Sequence, residues 1–303
     1  MKNLKKYCAV ILILSLYSCG DPSPTELIYD NISASEDIGI EIISTNPEEI
    51  VYTTGYDSTG IVDPIPMHLS NIYVSGIKNS SSEGNDYLTY YSAIFFDENQ
   101  PIKNPHGRRL GFKTSYKGNV LFNNIAAIQV PHIIHIKEPG RIIDENAGMK
   151  YLYYRRGKEN SFPFSSNIMF TLLPEHMRDR KIEFEIPTPN AITGQVIKSG
   201  SRGTGDLKFL LKWNNSADGN IEIIIGGIET GKPGLFPLLR FKTKDDGELT
   251  IPESIIKSIR FQNFEEIVFS FVRQKIKNDS SLSGLNDPFV VAQTIHNIKI
   301  VVQ

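Results

Sequence analysis

The sequence has little cysteine, and what it has lies near the start. Cys8 and Cys19 are the two cysteines in 303 residues, so none follows position 19. A folded part that begins after Cys19 therefore has no thiol of its own. This excludes disulfides, thiolate catalysis, iron–sulfur ligation and cysteine zinc sites from that part. We expect its stability to come from apolar cores instead.

Long apolar runs are also missing. The longest early run, from Cys8 to Tyr17, has roughly half of the about 20 residues that a membrane-spanning helix needs. Lys2, Lys5 and Lys6 precede it, and no acidic residue occurs before Asp21. A basic start followed by a short apolar run is typical of a secretory signal peptide, which is removed.

The end of this run carries a cleavage motif. Leu16-Tyr17-Ser18-Cys19 resembles the lipobox of bacterial lipoproteins, although Tyr17 fits only its looser form, known from spirochaetes and Bacteroidota. The resemblance implies a lipoprotein signal peptide over residues 1–18 and a membrane anchor of diacylglyceryl and acyl (palmitate) chains on Cys19. Gly20 is not the aspartate of inner-membrane retention, so we expect the outer membrane of a bacterial envelope. An ordinary secretory signal with a chance cysteine is the alternative.

The charge balance argues against one class of partner. The whole chain has a formal net charge of −2, and removal of residues 1–18 takes three lysines with it. A phosphate-backbone binder needs a basic surface. We therefore expect no nucleic-acid partner.

The rest of the chain has the pattern of strands. Short alternating runs are separated by Gly, Asn, Asp, Ser and Pro, which predicts an all-β fold. In the clearest run, KIEFEIP, Ile182, Phe184 and Ile186 fall on one face. The prolines at 187 and 189 end that strand. We place a tether at 19–35, an N-terminal β domain at 36–187 and a C-terminal domain at 190–303.

The C-terminal half offers three further patterns. LKFLLKW and IEIII, on either side of NNSADGN, predict a hairpin with Trp213 facing a core. Pro252 with Ile255, Ile256 and Ile259 predicts a short helix. Through Asp246, Gly247, Ile251 and Pro252 this half resembles the Ig-like sandwich of bacterial secreted lipoproteins. The strand pattern predicts two β-sandwich domains, and the resemblance implies that the C-terminal one is Ig-like with one short helix.

Motifs for chemistry are absent. His132 and His135 are three apart in a predicted strand and so face opposite sides, which disfavours a shared metal. His296 has the strand parity of Ile298 and Ile300, as expected of a hydrogen-bonded histidine at a core edge. No H-E-x-x-H or G-x-S-x-G occurs, and the glycines of KSGSRGTGD precede a predicted strand rather than the helix that a phosphate loop needs. We predict no metal, no cofactor and no catalytic residue.

Tyrosines in the N-terminal half suggest a binding face. In YLYYRR, Tyr151, Tyr153 and Arg155 face one way, whereas Leu152 and Tyr154 face the other. An exposed stripe of Tyr and Arg is typical of interfaces. We predict a binding face at Tyr151, Tyr153 and Arg155, with ordinary strand packing as the alternative.

These observations favour a non-enzymatic, membrane-anchored extracytoplasmic lipoprotein. It would present β-domains to an envelope protein or a glycan. The alternative is a carbohydrate-active hydrolase with a carboxylate pair, because such sites carry no local motif. A third hypothesis is a purely structural subunit of an envelope assembly.

Overall fold

The computed structural model describes the greater part of the chain after residue 68. The described residues are 39–42, 68–103, 107, 109–138, 141–175, 180–201, 206–216, 219–228, 236–258 and 264–301. The predicted signal peptide (1–18) and tether (19–35) lie outside them, as does Cys19. Both segments and the lipidation site therefore stay predictions.

Strands dominate the described residues, so the all-β prediction is confirmed. In chain order they are β1 (Gly39–Ile42), β2 (Ser70–Ser81), β3 (Gly84–Lys103), β4 (Arg109–Thr114), β5 (Gly118–Phe122), β6 (Ile125–Ala126), β7 (Ile128–Glu138), β8 (Arg141–Gly157), β9 (Asn167–Pro174), β10 (Ile182–Pro187), β11 (Gly194–Ser199), β12 (Lys208–Trp213), β13 (Asn220–Ile228), β14 (Phe236–Lys244), β15 (Glu248–Thr250), β16 (Glu266–Lys277) and β17 (Pro288–Val301). A short helix α1 (Glu253–Ser258) and a 3-10 turn η1 (Ser280–Leu282) interrupt them.

A ten-stranded sheet is the largest of the three sheets in the described part of the chain. Its strands lie in the order β1-β14-β13-β16-β17-β2-β3-β8-β7, and β4 pairs with β3 beside this path. Strands from both halves of the chain meet where β17 runs parallel to β2. Two smaller sheets, β10-β9-β5-β6 and β11-β12-β15, complete the layers. The result is a β-sandwich-like arrangement.

Two apolar cores share one face of the large sheet, which we call the inner face. The N-terminal core joins Ile72 and Val74 of β2 to strands β5, β9 and β10. The C-terminal core joins β13, β14 and β16 to β11, β12 and β15. Strand β17 contributes to both, with Val290 and Ala292 in the first and Ile298 packed against the second. Its length therefore links the two cores.

The strand sequences account for their burial. In β10, Phe184 and Ile186 are buried whereas Glu183 and Glu185 are exposed, as the predicted alternation requires. In β16 the residues Ile267–Arg273 are all buried. A near-continuous apolar run of this kind is typical of a strand that is covered on both faces.

The predicted helix is present as α1. Its first turn follows Pro252, whose carbonyl accepts hydrogen bonds from the N–H groups of Ile255 and Ile256. Ile256 is buried in the C-terminal core, and Ile255 packs against that core. A proline at the helix start and two inward isoleucines thus explain the helix.

The predicted hairpin between LKFLLKW and IEIII is wrong. Strand β12 pairs with β11 and β15, whereas β13 pairs with β14 and β16 in the large sheet. Both strands place their apolar side chains in the C-terminal core. The long loop between them lets the chain pass from one layer to the facing layer, so the two strands pack face to face instead of pairing edge to edge.

The predicted domain boundary coincides with the change from one core to the other. Residues before 187 build the N-terminal core, and those from Ile192 build the C-terminal core, with the exception of η1, Leu285 and β17. Both cores nevertheless lie on one sheet, and Ser35–Gln303 forms one compact unit. The division into domains 36–187 and 190–303, and the Ig-like assignment, stay predictions.

Candidate binding surface

The register of β8 decides which predicted site residues are accessible. Tyr151, Tyr153 and Arg155 pair with Ala93, Tyr91 and Thr89 of β3, so the three share a face as predicted. That face is the inner one. Tyr151 is only 3% exposed and belongs to the N-terminal core. The prediction of an exposed face is therefore wrong for Tyr151.

The hydroxyl of Tyr151 makes two hydrogen bonds inside the N-terminal core. Its hydroxyl donates to the carbonyl of Gly118 at 2.8 Å and accepts from the N–H of Lys117 at 3.3 Å. Burial raises the pKa of this hydroxyl. The residue fastens the start of β5 to the large sheet.

Tyr153 and Arg155 have different environments. Tyr153 packs against the N-terminal core, with its ring stacked on that of Tyr91 at 5.2 Å between centroids. Burial and the neighbouring Tyr153 raise the pKa of Tyr91 well above its ordinary value. Arg155 is exposed. The structure thus places the three predicted residues on one face without forming an exposed surface from them.

The opposite face of β8 carries an exposed stripe. Leu152, Tyr154 and Arg156 alternate with the buried tyrosines, and Ile128 of β7 lies directly across from Leu152. We call these four residues the outer stripe, and this side of the large sheet the outer face. Tyr154 is 61% exposed and Ile128 is 59% exposed, while Leu152 is half-buried.

The outer stripe combines apolar, aromatic and cationic groups over a short distance. Alternate residues of a strand are about 6.6 Å apart, so Leu152, Tyr154 and Arg156 extend over about 13 Å. The Nε atom of Arg156 lies 2.6 Å from Oδ2 of Asp86 on β3. This pair fixes the guanidinium at the end of the stripe but leaves 72% of the Arg156 side chain exposed.

A serine–histidine pair lies at the junction of the two cores. Nε2 of His296 is 2.8 Å from Oγ of Ser80, and that hydroxyl donates to Oδ1 of Asn85 at 2.6 Å. The N–H of Gly194 donates to Nδ1 of His296 at 2.7 Å. The ring proton is therefore on Nε2, which donates to Ser80.

This geometry does not suit nucleophilic catalysis. A base must accept the hydroxyl proton of its serine, but Nε2 of His296 is a donor here and Nδ1 is occupied. Burial, with a smaller effect of Lys78, lowers the pKa of His296 to about 4. The neutral ring thus connects β17 with Ser80 and Gly194, as the sequence prediction of a hydrogen-bonded histidine implied.

A buried ion pair joins the segments around the C-terminal core. Nε and Nη2 of Arg273 donate to both carboxylate oxygens of Asp245, at 2.7 and 2.9 Å. The remaining donors of Arg273 reach the carbonyls of Asn190, Ala191 and Asn214. All five N–H groups of the guanidinium are therefore used.

The indole of Trp213 belongs to the same network. Its Nε1 donates to Oδ1 of Asp245 at 2.8 Å, and Oγ of Ser216 donates to Oδ2 at 2.9 Å. The predicted inward orientation of Trp213 is confirmed. The alternation of the strand did not predict the hydrogen bond that Trp213 donates to the buried Asp245 carboxylate.

The only buried carboxylate among the described residues is that of Asp245. Burial by itself would raise its pKa, but the hydrogen bonds from Arg273, Ser216 and Trp213 lower it. A general acid at neutral pH needs a raised pKa. Asp245 has the opposite shift, so its role is structural.

His132 of β7 forms no metal site with the other side chains that the structure describes. The ring of His132 packs edge-on against Phe96, and burial, with a smaller effect of Lys150, lowers its pKa to about 4. The side chain of His135 lies outside the described residues. Within the described ranges, no three His, Cys, Asp or Glu side chains come together as metal ligands would. Nor does any helix within these ranges have the length and apolar character of a membrane span.

Comparison with known proteins does not assign the chain. No protein-family model matches it, and no curated protein is detectably similar to it in sequence.

The sequence of β8 carries a signal for the solvent-exposed side, but it carries that signal on both faces. Tyr151 and Tyr153 share their face with Arg155, whereas Leu152 and Tyr154 share theirs with Arg156. A charged residue that continues a face marks the solvent side. Arg155 supplies the same signal on the other face, so the pattern alone was ambiguous.

Proposed function

We propose that the protein is a lipid-anchored envelope lipoprotein that binds a protein partner through the outer stripe. The observation that carries the binding part is the exposure of Tyr154 and Ile128 on one side of an otherwise well-packed sheet. Tyrosine and arginine are the residues most enriched at binding hot spots. Isolated exposed apolar residues are common, but adjacent ones on a rigid sheet mark an interaction surface.

The apolar content of the stripe favours a protein over a glycan. Ile128 and Leu152 offer branched aliphatic groups beside the Tyr154 ring. A glycan surface would instead need polar hydrogen-bonding groups around the aromatic ring. The anchoring part of the proposal is supported by the lipobox-like Leu16-Tyr17-Ser18-Cys19.

Lipidation is tested with Cys19→Ala. We expect this variant to lose labelling by radioactive palmitate and to leave the membrane fraction, since the sulfur that would carry the lipid is gone. Cys8→Ala is the matched control and should remain labelled. Labelling of Cys19→Ala at the normal level would contradict the anchor.

Binding is tested by capture from the native envelope with Tyr154→Ala. We expect a specific protein to be captured by the unchanged chain and lost from this variant. Tyr116→Ala is the matched control, because Tyr116 is 49% exposed but lies outside the stripe. Capture that is equal in both variants, or capture of glycan alone, would contradict a protein-binding stripe.

A further inference from the structure

The apolar part of the outer stripe lies between two cations. Lys150 comes two positions before Leu152 in β8, so strand alternation places both side chains on the outer face. The register with β7 agrees, because Lys150 pairs with Val130 just as Leu152 pairs with Ile128. Arg156 ends the stripe about 20 Å from Lys150, at about 3.3 Å per residue. An ammonium group and a guanidinium group therefore flank the apolar side chains.

The guanidinium of Arg156 keeps donors for a further ligand. Its Nε lies 2.6 Å from Oδ2 of Asp86, and 72% of the side chain is exposed. Among the described residues, Nη1 and Nη2 have no hydrogen-bond or ion-pair partner. A carboxylate can accept hydrogen bonds from both groups at once. Arg156 can therefore bind a second carboxylate while it remains paired with Asp86.

Lys150 has no anionic partner in the described part of the chain. No carboxylate there forms an ion pair with its ammonium group. The ammonium instead contributes to lowering the pKa of His132, since a nearby cation disfavours the charged ring. The carboxylate of Asp86, beside the stripe, is already paired with Arg156. The stripe and its two ends therefore carry a net positive charge.

The side chains between the two cations are apolar and accessible. Tyr154 is 61% exposed and Ile128 is 59% exposed. A uniformly charged polyanion, such as an acidic polysaccharide, would bring charges onto these side chains, where they lose water without gaining a partner. A protein segment can instead place carboxylates at the two ends and apolar groups between them. The pattern of charge and apolar surface therefore favours a protein segment.

Strand addition at the edge of the sheet is disfavoured by Pro131. Among the described strands, β7 pairs only with β8, so its other side is an edge. Pro131 pairs with Met149, whose N–H donates away from β7, to Oγ1 of Thr114 in β4 at 2.7 Å. Opposite residues of an antiparallel pair exchange both hydrogen bonds or none, so the backbone of Pro131 faces the edge. Because proline has no N–H, an added strand would miss a donor there, and docking through side chains on the outer face is favoured.

We propose that the partner is a protein that presents an acidic segment to the outer stripe. Aspartate or glutamate carboxylates pair with Lys150 and Arg156, and apolar side chains between them pack against Leu152, Tyr154 and Ile128. This partner chemistry rests on the proposed function, because the surface is the same. Opposite charges accelerate association and salt screens them, so the interaction is sensitive to charge reversal and to ionic strength.

The first measurement shows whether a protein occupies the stripe at all. In the otherwise unchanged chain, Ile128 is replaced by p-benzoylphenylalanine, and the native envelope fraction is irradiated. The benzophenone reacts with nearby C–H groups whatever the charge around them. We expect an adduct with a protein whose joined segment contains Asp or Glu. The absence of any protein adduct would contradict the proposed function itself, whereas an adduct with a segment that lacks acidic residues would overturn only the acidic partner.

The second measurement identifies the group that meets Lys150. A carbodiimide joins an amine to a carboxylate that contacts it, and takes up the water that is lost to become a urea. We expect an amide between Nζ of Lys150 and an Asp or Glu of the same protein. Lys150→Arg is the matched control, because it keeps the charge but cannot form this amide, and its photo-adduct should persist. A photo-adduct without an amide at Lys150 would overturn the proposal.

The third measurement reverses one charge. Lys150→Glu should lower the yield of the photo-adduct at least about tenfold at low salt, since it places a carboxylate opposite those of the partner. Lys198→Glu makes the same charge change at an exposed position of β11 and should leave the yield unchanged. With Lys150 in place, the yield should fall as NaCl rises from about 0.05 M to about 0.5 M. Equal yields from the two variants would overturn the proposal.

Pro131→Val separates docking on the face from strand addition at the edge. The variant restores an N–H to the edge of β7, and we expect the yield of the photo-adduct to stay the same. A markedly higher yield would show that the partner adds a strand to β7 and would overturn docking on the outer face.

Discussion

The two inner cores use different groups to fasten the segments that cross them. In the C-terminal core a charged pair, Arg273 and Asp245, ties three loop carbonyls and the Trp213 indole to the sheet. In the N-terminal core a neutral hydroxyl, that of Tyr151, holds the start of β5. The two arrangements hold their segments equally closely in the structure. They differ in the group that stays buried when one partner is removed: a charged group in the C-terminal core and neutral groups in the N-terminal core.

A buried charge that loses its partner is far more costly than a neutral group that does. The surviving charge stays in a poorly polarisable environment without compensation. A neutral carbonyl loses only one hydrogen bond. The comparison therefore predicts a graded series of stabilities, which the following variants test.

The largest effect is expected for Arg273→Met. It leaves the Asp245 carboxylate buried without its cation, and the free energy of unfolding should fall by about 3–5 kcal/mol. Urea unfolding followed by Trp213 fluorescence measures this. Arg156→Met removes an exposed arginine from a 2.6 Å pair and should cost at most about 1 kcal/mol. An equal fall in the free energy of unfolding for Arg273→Met and Arg156→Met would contradict the expected difference between a buried and an exposed ion pair.

An intermediate effect is expected from the protonation of His296 at the junction. Its pKa is about 4 in the folded protein against an ordinary 6.5, so the unfolded chain binds more protons between these values. The contribution to stability is therefore complete above pH 6.5 and is lost as the pH falls towards 4. At about 1.4 kcal/mol per pKa unit, it amounts to roughly 3 kcal/mol.

Unfolding curves between pH 7.5 and 4 for the unchanged chain and His296→Gln check this. The difference in stability between the two proteins should shrink as the pH falls. His132, whose pKa is also lowered to about 4, contributes equally to both proteins and cancels. A constant difference across the pH range would contradict the role of His296.

The smallest effect on stability is expected for Tyr151→Phe. The variant keeps the ring in the N-terminal core and loses the hydrogen bonds to the Gly118 carbonyl and from the Lys117 N–H, which together should cost about 1–2 kcal/mol. Tyr154→Phe, on the exposed outer stripe, is the control and should leave the free energy of unfolding unchanged. A loss for Tyr151→Phe as large as that for Arg273→Met would show that the two cores are fastened in energetically similar ways.

The sequence predicted the features of the fold that depend on residues close together in the chain. It did not predict the strand pairing that depends on distant residues. The alternation in β10 and the proline-led start of α1 were predictable, because each depends on neighbours within a few residues. The pairing of β12 with β11 and β15, rather than with β13, was not. Two apolar strands joined by a loop can pair or pack face to face, and only the rest of the core selects between these arrangements.

The candidate surface illustrates the same limit within one strand. The sequence predicted that Tyr151, Tyr153 and Arg155 share a face, and the register with β3 confirms this. It did not predict which face is buried, since Arg155 and Arg156 mark both sides as polar. The near-continuous apolar run Ile267–Val272 of β16 was a further signal, because such a run is typical of a strand covered on two faces.

By itself, the sequence determined the all-β class, the alternation of β10, the position of the short helix and the absence of thiols after Cys19. These properties depend on local periodicity and on composition. The tertiary structure alone decided that Tyr151 is buried and Tyr154 exposed, that Arg273 finds Asp245, and that both cores lie on one sheet. Each of these depends on residues that lie far apart in the chain, and their contacts are set by the packing of layers rather than by local pattern.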